Sequence, residues 1–350
     1  MRLIRYLVLV LVVVGVLAGA AGYLGYTRVN EPYKGFATDE AFVEIASGLG
    51  PTSIGRQLVD AGVVRDEVTF RGALWISGRA RELKAGEYRF DRASTPLEVI
   101  DRLARGDVYR RFITFREGLT IAEMAQVYED GGFGAAAEFR KAAANASLIR
   151  DLDPSAPDLE GYLFPETYTL RRDTSVAILV AQMVALFEKT LTQDMREAAK
   201  ARGLTVREVV TIASLVEKET AVAEERPLVA AVYVNRKRLG MAMQADPSVI
   251  YALQRAGRYD GNLRRDDLQF DSPYNTYRYA GLPPGPIAAP GKAALAAAVN
   301  PADTEYLYFV SRNDGSHVFA RTLDEHNRNV QQWQVEFFRQ PRKGTAGQRR

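Results

Sequence analysis

The chain has 350 residues, 47% of them hydrophobic and 25% charged, the mix of a folded protein large enough for two or more cored domains. Its 46 Lys plus Arg against 43 Asp plus Glu leave a net charge of +3, which argues against a nucleic-acid partner. Cysteine is absent and the only histidines are His317 and His326, so disulfides and thiolate sites are excluded and neither a metal nor another cofactor is expected.

The N-terminus carries Arg2 and Arg5, then no charge from Tyr6 through Thr27. A helix of roughly 20 apolar residues spans the hydrocarbon layer, so residues 1–27 are expected to form a transmembrane anchor. Tyr23, Leu24 and Tyr26 prolong the apolar character and set tyrosines at an interface. A cleaved signal peptide is the other reading, because Ala18-Gly19-Ala20 offers small residues after the apolar run. Arg2 and Arg5 face Arg28 and Lys34 across the span, so charge bias alone does not orient it.

Residues 28–40 read as a polar tether. "AFVEIASG" then reads as a strand, and "PTSIGRQLVDAGVV" as a helix opening at Thr52 or Ser53 with Ile54, Leu58 and Val59 on one face. "LKAGEYRF" reads as a second strand. "STPLEVIDRLARG" follows as a helix capped by Thr95, with Pro96 in its first turn, Glu98 three residues on and Gly106 at its exit. Further on, "YRRFITFREGLT" is a strand entering a turn, and Thr120 with Glu123 opens another helix. "DPSAPDLEGYLFPETYTL" is a structured loop. Residues 175–203 read as one long amphipathic helix with Val176, Val180, Met183, Phe187, Leu191 and Met195 near helical spacing. "YLYFV" and "HVFAR" form a hairpin around Asn313-Asp314-Gly315. Residues 341–350 hold nothing to bury and read as a disordered basic tail.

The segment "GLTVREVVTIASLVEKET" places chemistry on this scaffold. Gly203 closes the preceding helix, Thr205 is the cap and Glu208 completes its box. Glu217 then shares a face with Val210, Ala213 and Ser214, while Glu219 lies about 200° away. A carboxyl on an apolar stripe is desolvated and its pKa rises, which suits a general acid near neutral pH. On helix geometry alone, Glu217 could equally meet a buried arginine or end the stripe at the surface. "MQADPSVIYAL" sets Gln244 and Asp246 at a turn before a helix. "FDSPYNTYRYAGLPPGPI" packs Tyr274, Asn275, Thr276, Tyr277 and Tyr279 into a proline-stiffened loop, and such aromatic, amide and hydroxyl groups suit a carbohydrate. The two histidines read as structural, with His326 near a helix start.

"LEGYLFPETY", "ASLVEKE", "QADPSVIY", "DSPYNTYRYAGLPPGPI", "YLYFV" and "GSHVFARTLDEHN" occur in the order seen in the YceG-like endolytic murein transglycosylases, which the chain resembles from the membrane segment to about Val330. The resemblance implies an α+β protein: the transmembrane helix, a small LysM-like module at 41–108 and a mixed α/β catalytic domain at 109–340. It implies a bacterial inner-membrane location, with the N-terminus cytoplasmic and the catalytic domain periplasmic. The implied reaction cuts peptidoglycan glycan strands between N-acetylmuramic acid and N-acetylglucosamine without water, leaving 1,6-anhydro ends and terminating nascent strands beside glycan-polymerising synthases. It assigns the acid to Glu217, the first Glu of the "EKE" motif, and glycan binding to Gln244, Asp246, Tyr274, Asn275, Thr276 and Tyr277. Ala245 stands where the family usually has Thr or Ser, and Ala289 where Asn is common. A non-catalytic wall-binding anchor and a lysozyme-type hydrolase are the rival functions. The hydrolase needs a second carboxylate across the cleft, for which Asp246 and Asp271 are candidates.

Overall fold

The computed structural model describes residues 2–339, so the tail expected at 341–350 lies outside the described residues. The chain divides into two compact units. The first runs to Arg111 and takes in Thr169–Asp173; the second holds Phe112–Tyr168 and the chain from Thr174 onward.

The first unit opens with helix α1 (Arg2–Asn30), whose stretch Arg5–Asn30 is long and apolar enough to cross a membrane and is not buried by protein. Val29 is the exception, 4% exposed and packed in the core of the unit. The expected tether does not hang free. Tyr33 and Ser94 exchange both backbone hydrogen bonds, at 3.0 and 3.2 Å, and the Gly35 N–H donates to the Gly62 carbonyl at 2.8 Å. Then come β1 (Ala41–Ile45), α2 (Pro51–Asp60), α3 (Glu67–Ser77), β2 (Gly86–Phe90) and α4 (Pro96–Arg105). β1 and β2 pair antiparallel, with Val43 opposite Tyr88. α2 starts at Pro51, ahead of Thr52 and Ser53, and has no side-chain cap. α4 has the expected Thr95–Glu98 box and left-handed Gly106. α3 has no counterpart in the sequence reading. Its apolar residues run round most of the helix, so no single stripe marks it.

Next along the chain are β3 (Arg111–Thr114), whose residues from Phe112 belong to the second unit, α5 (Ile121–Asp130) and α6 (Ala136–Ala143). β3 pairs with β4 (Thr167–Leu170). The expected long helix is two, α7 (Val176–Thr190) and α8 (Gln193–Ala201), bent by 62°. The break has a local cause: the Thr192 hydroxyl accepts the Met195 N–H and caps α8, a geometry that ends one helix and starts another. After them come α9 (Val206–Glu219), α10 (Arg226–Arg238), α11 (Asp246–Arg255) and α12 (Lys292–Val299). The hairpin β5 (Tyr308–Ser311) and β6 (His317–Ala320) follows, then α13 (Leu323–Val330), and the described chain continues helical to Arg339. The hairpin pairs Phe309 with Phe319, and left-handed Asn313 and Gly315 form its turn. Among the described residues the strands make three two-stranded ribbons on a largely helical body, a mixed α/β chain.

α9 is the centre of this unit. Thr205 and Glu208 form its capping box, and eight consecutive residues, Thr211 and Ser214 among them, are buried from Val209 to Val216. α8, α10, α11 and α12 pack around it. The buried stretch stops there: Lys218 is exposed, and Glu217 and Glu219 are half-buried on either side of it.

The "LEGYLFP" loop is fixed to α9 by charge and shape. Arg207 donates to both oxygens of Asp153, at 2.8 and 3.0 Å, and the Tyr162 hydroxyl donates to the same carboxylate at 2.5 Å. Burial pushes Asp153 up, but the Arg207 fork and the Tyr162 hydroxyl outweigh it and hold the carboxyl low. Gly161 sits at φ +82°, where a Cβ would lie 2.4 Å from Pro286 and 2.9 Å from Val210. Gly161→Ala is therefore expected to cost about 3 kcal/mol, from left-handed strain plus overpacking. Urea unfolding of the purified chain would measure it.

Candidate active site

The end of α9 divides the two carboxylates of "EKE". Glu217 points toward the start of α12. Its Oε2 accepts the Gly291 N–H at 2.9 Å, and Arg226 Nη2 lies 3.6 Å from Oε1. Burial raises its pKa, the Gly291 N–H opposes that, Glu117 adds to it and Arg226 opposes it. Beside it Lys218 donates to the Gly118 carbonyl at 3.2 Å. Glu217 thus meets a backbone N–H and a guanidinium, with its side chain 7% exposed.

Glu219, on the other side of the helix, reaches a cavity of about 390 Å³. Gln244, Asp246 and Tyr277 line the same cavity, with Arg236, Phe309, His317 and His326; Glu217 does not. The Tyr233 hydroxyl donates to Glu219 Oε1 at 2.8 Å. Burial, aided by Asp246 and opposed by Tyr233 and Arg236, pushes the Glu219 pKa up to about 7. The carboxyl is therefore poised to hold or release a proton near neutrality, as a general acid requires.

Of the six residues expected to hold glycan, three face this cavity. Tyr277 donates its hydroxyl to Asp246 Oδ1 at 2.6 Å. Gln244 is exposed at the rim with φ 49°, a strained conformation for a residue with a Cβ, and its N–H donates to the Thr276 carbonyl. The other three serve differently. Asn275 is fully buried and donates to the Leu268 and Phe270 carbonyls at 3.0 and 2.8 Å while accepting the Tyr277 N–H at 3.0 Å. Thr276 accepts the Ala245 N–H at 3.0 Å and meets the Ser248 hydroxyl at 2.8 Å. Asn275 braces the tyrosine loop internally and so positions Tyr277, while Thr276 ties that loop to the turn before α11 and so positions Gln244. Tyr274 turns toward a different neighbourhood, edge-on to Tyr251 at 5.0 Å with Arg255 over its ring at 5.3 Å.

Ala245 occupies the N-cap position of α11 without a side-chain cap. Its departure from Thr or Ser thus affects the start of a helix and not the cavity lining. Ala289 is buried, its N–H and carbonyl bonded to Leu119 and Gly118, and it too lies off the cavity.

His326 lies near the start of α13, as expected, and both histidines make structural contacts while also facing the cavity. His317 Nδ1 lies 2.7 Å from Glu225 Oε2, and its N–H donates to Glu225 Oε1 at 2.7 Å. Glu225 is pushed up by burial but held low overall by these bonds. His326 stacks on Tyr308 at 5.1 Å, and burial and Arg236 press its pKa below 6.5. Both rings line the cavity wall contributed by the hairpin and α13. Helix periodicity also carried a signal for Glu219: it lies four, three and seven residues after Leu215, Val216 and Ile212, an apolar line as complete as the one leading to Glu217.

Asp271, the other acid considered for a hydrolase, accepts the Tyr279 hydroxyl at 2.7 Å and is not part of the cavity lining. Asp246 is.

The sequence profile of the YceG-like family matches residues 43–332. An endolytic murein transglycosylase of Bacillus subtilis strain 168 is 31% identical over 314 residues, covering 85% of this chain and 86% of that protein. One of Streptococcus pneumoniae strain D39 is 30% identical over 347 residues, and this match covers 90% of the chain but 62% of the pneumococcal protein. The fold is similar to the crystal structure of a YceG-like protein from Listeria monocytogenes, with a TM-score of 0.57, 30% identity, and coverage of 83% of this chain and 98% of that one. The matched region takes in the end of α9, the turn before α11, the tyrosine loop and the hairpin, and on that basis the chain belongs to the YceG-like family.

Proposed function

We propose that the chain is a peptidoglycan lytic transglycosylase, a lyase that cuts glycan strands internally, with Glu219 as its acid in place of Glu217. The relatives' name, endolytic murein transglycosylase, supports the activity. The single observation behind the choice of acid is the carboxyl of Glu219, raised to about 7, in a cavity shared with Gln244, Asp246 and Tyr277.

Protonated Glu219 donates its proton to the glycosidic oxygen as the bond to the muramic acid anomeric carbon breaks. The resulting carboxylate takes the proton from the muramic acid 6-hydroxyl, whose oxygen closes on the anomeric carbon to give the 1,6-anhydro end. One carboxyl thus gives and regains one proton, and no water is consumed. Tyr233 steadies the ionised form through its hydrogen bond, and burial favours the neutral one. The pair keeps both forms within reach.

A lysozyme-type hydrolase is the second reading, because Asp246 lines the same cavity and supplies the second carboxylate such chemistry uses. Digesting peptidoglycan with the detergent-solubilised full chain and weighing the fragments separates the two. Anhydro ends are expected. Reducing ends, heavier by one water, would establish hydrolysis, and no cleavage would leave a wall-binding anchor.

In this reading α1 anchors the protein in the bacterial inner membrane with its N-terminus cytoplasmic and residues 109–340 as the periplasmic catalytic domain. The strand–helix–helix–strand at 41–108 is a LysM-like module that holds glycan. Cleavage beside glycan-polymerising synthases then terminates nascent strands. The length and apolarity of α1 support the anchor, and the order of elements supports the reading of the module.

A further inference from the structure

We infer that α3 is a second membrane contact, lying at the headgroup–acyl boundary of the bilayer that α1 crosses. The inference rests on the reading of α1 as a membrane anchor. One face of α3 packs Phe70, Ala73 and Leu74 into the core of the first unit. The opposite face is apolar too: Val68 is 79% exposed, Trp75 85% and Ile76 54%. At helical spacing these three fall on one arc with Gly72, flanked by Arg71. Trp75 is the most exposed of all the large hydrophobic side chains described, α1 included.

What covers this face follows from where α3 begins. Asp66, whose side chain caps α3, lies 4.0 Å from Arg28, one residue past the apolar run of α1. Arg65 pairs with Glu31 at 3.2 Å and sits over the Tyr33 ring. Val29 of α1 is buried in the same core as Phe70 and Leu74. The start of α3 is therefore fastened to the point where the chain leaves the span. At 1.5 Å per residue Trp75 is within about 14 Å of it. An amphipathic helix with tryptophan on its apolar face and arginine beside it is the composition that lies in a membrane interface. Exposed Tyr23 and Tyr26 near the end of α1 mark the same level. A helix held there, with a free apolar face, meets lipid before it meets another protein.

The chain has two tryptophans, so Trp333→Phe leaves Trp75 as its own reporter. The full chain carrying that change is reconstituted into phosphatidylcholine–phosphatidylglycerol vesicles with or without brominated acyl chains. Expected is co-flotation with the vesicles, blue-shifted Trp75 emission and about twofold quenching by the brominated lipid, relieved by Ile76→Asp. Co-flotation with water-like, unquenched emission overturns the inference and leaves the anchor standing. Failure to float overturns the anchor, and the inference with it. A blue shift on adding glycan strands to the detergent-solubilised protein, with no quenching in vesicles, assigns the face to saccharide instead and also overturns it.

Discussion

Glu219→Gln is expected to lower strand cleavage about 1,000-fold, the scale of a lost general acid, while binding and fold are retained. Gln keeps an acceptor for the Tyr233 hydroxyl and removes only the transferable proton. Glu217→Gln is the matched control. It keeps an acceptor for the Gly291 N–H, loses the ionic partner of Arg226, and should cost about 1 kcal/mol of stability with turnover within tenfold of the parent. Single-turnover release of anhydro products and chemical unfolding, run on both variants, measure the two effects. A Glu217→Gln chain that folds and does not cut, beside a Glu219→Gln chain that does, would return the acid to Glu217.

The second large effect is on stability against pH. Glu160 is buried, takes the Ile121 N–H and the Tyr251 hydroxyl at 3.0 Å each, and is pushed by burial up to about 8; Glu219 is pushed up to about 7. Unfolded, both carboxyls titrate near 4.5. Between that value and the folded ones the native state holds protons that the unfolded chain has released, so stability falls as pH rises. The contribution of these two groups is complete below about 4.5 and lost through pH 7 to 8. Glu217 acts in the same direction. His326 acts in the opposite one, since its folded pKa is depressed and acidification through 6.5 charges the unfolded ring first. Several carboxyls against one imidazole leave a net decline, on the order of 3 kcal/mol between pH about 6 and about 9. Urea midpoints across that range should show it, and Glu160→Gln with Glu219→Gln should flatten it. A midpoint that rises with pH would show that the two carboxyls ionise in the native state as they do in water.

Glu219→Gln should therefore be inactive and, at high pH, more stable than the parent. A buried carboxyl kept near its titration point costs folding energy that catalysis uses, the usual opposition between activity and stability.

Much of the local architecture was written in short-range chemistry. Thr95–Glu98, Thr120–Glu123 and Thr205–Glu208 start helices because hydroxyl and carboxylate satisfy backbone N–H groups within one turn, and those bonds do not depend on the rest of the fold. The hairpin at Asn313-Asp314-Gly315 is equally local, since Asn and Gly accept left-handed backbone. The apolar run of α1 and the order of the family motifs are likewise properties of the string. Where two apolar faces compete, the string is silent. α3 carries no single apolar stripe because its exposed face is as apolar as its buried one, and the 175–203 segment reads as continuous because Thr192 caps α8 without breaking the hydrophobic spacing.

The surroundings of the two acids are set by tertiary packing alone. Along α9 the lines to Glu217 and Glu219 are equally apolar, so periodicity cannot rank them. The difference arises from what surrounds each: α12 and Arg226 close over Glu217, whereas the turn before α11, the tyrosine loop and the β5–β6 hairpin leave space beside Glu219. Those segments are separated from α9 by tens of residues in the chain, and which of them meets a given carboxyl is fixed only when the helices pack. The sequence by itself determined which chemical groups were present and where the helices begin; only the folded arrangement determined which carboxyl is dry, adjoining a cavity and near its titration point.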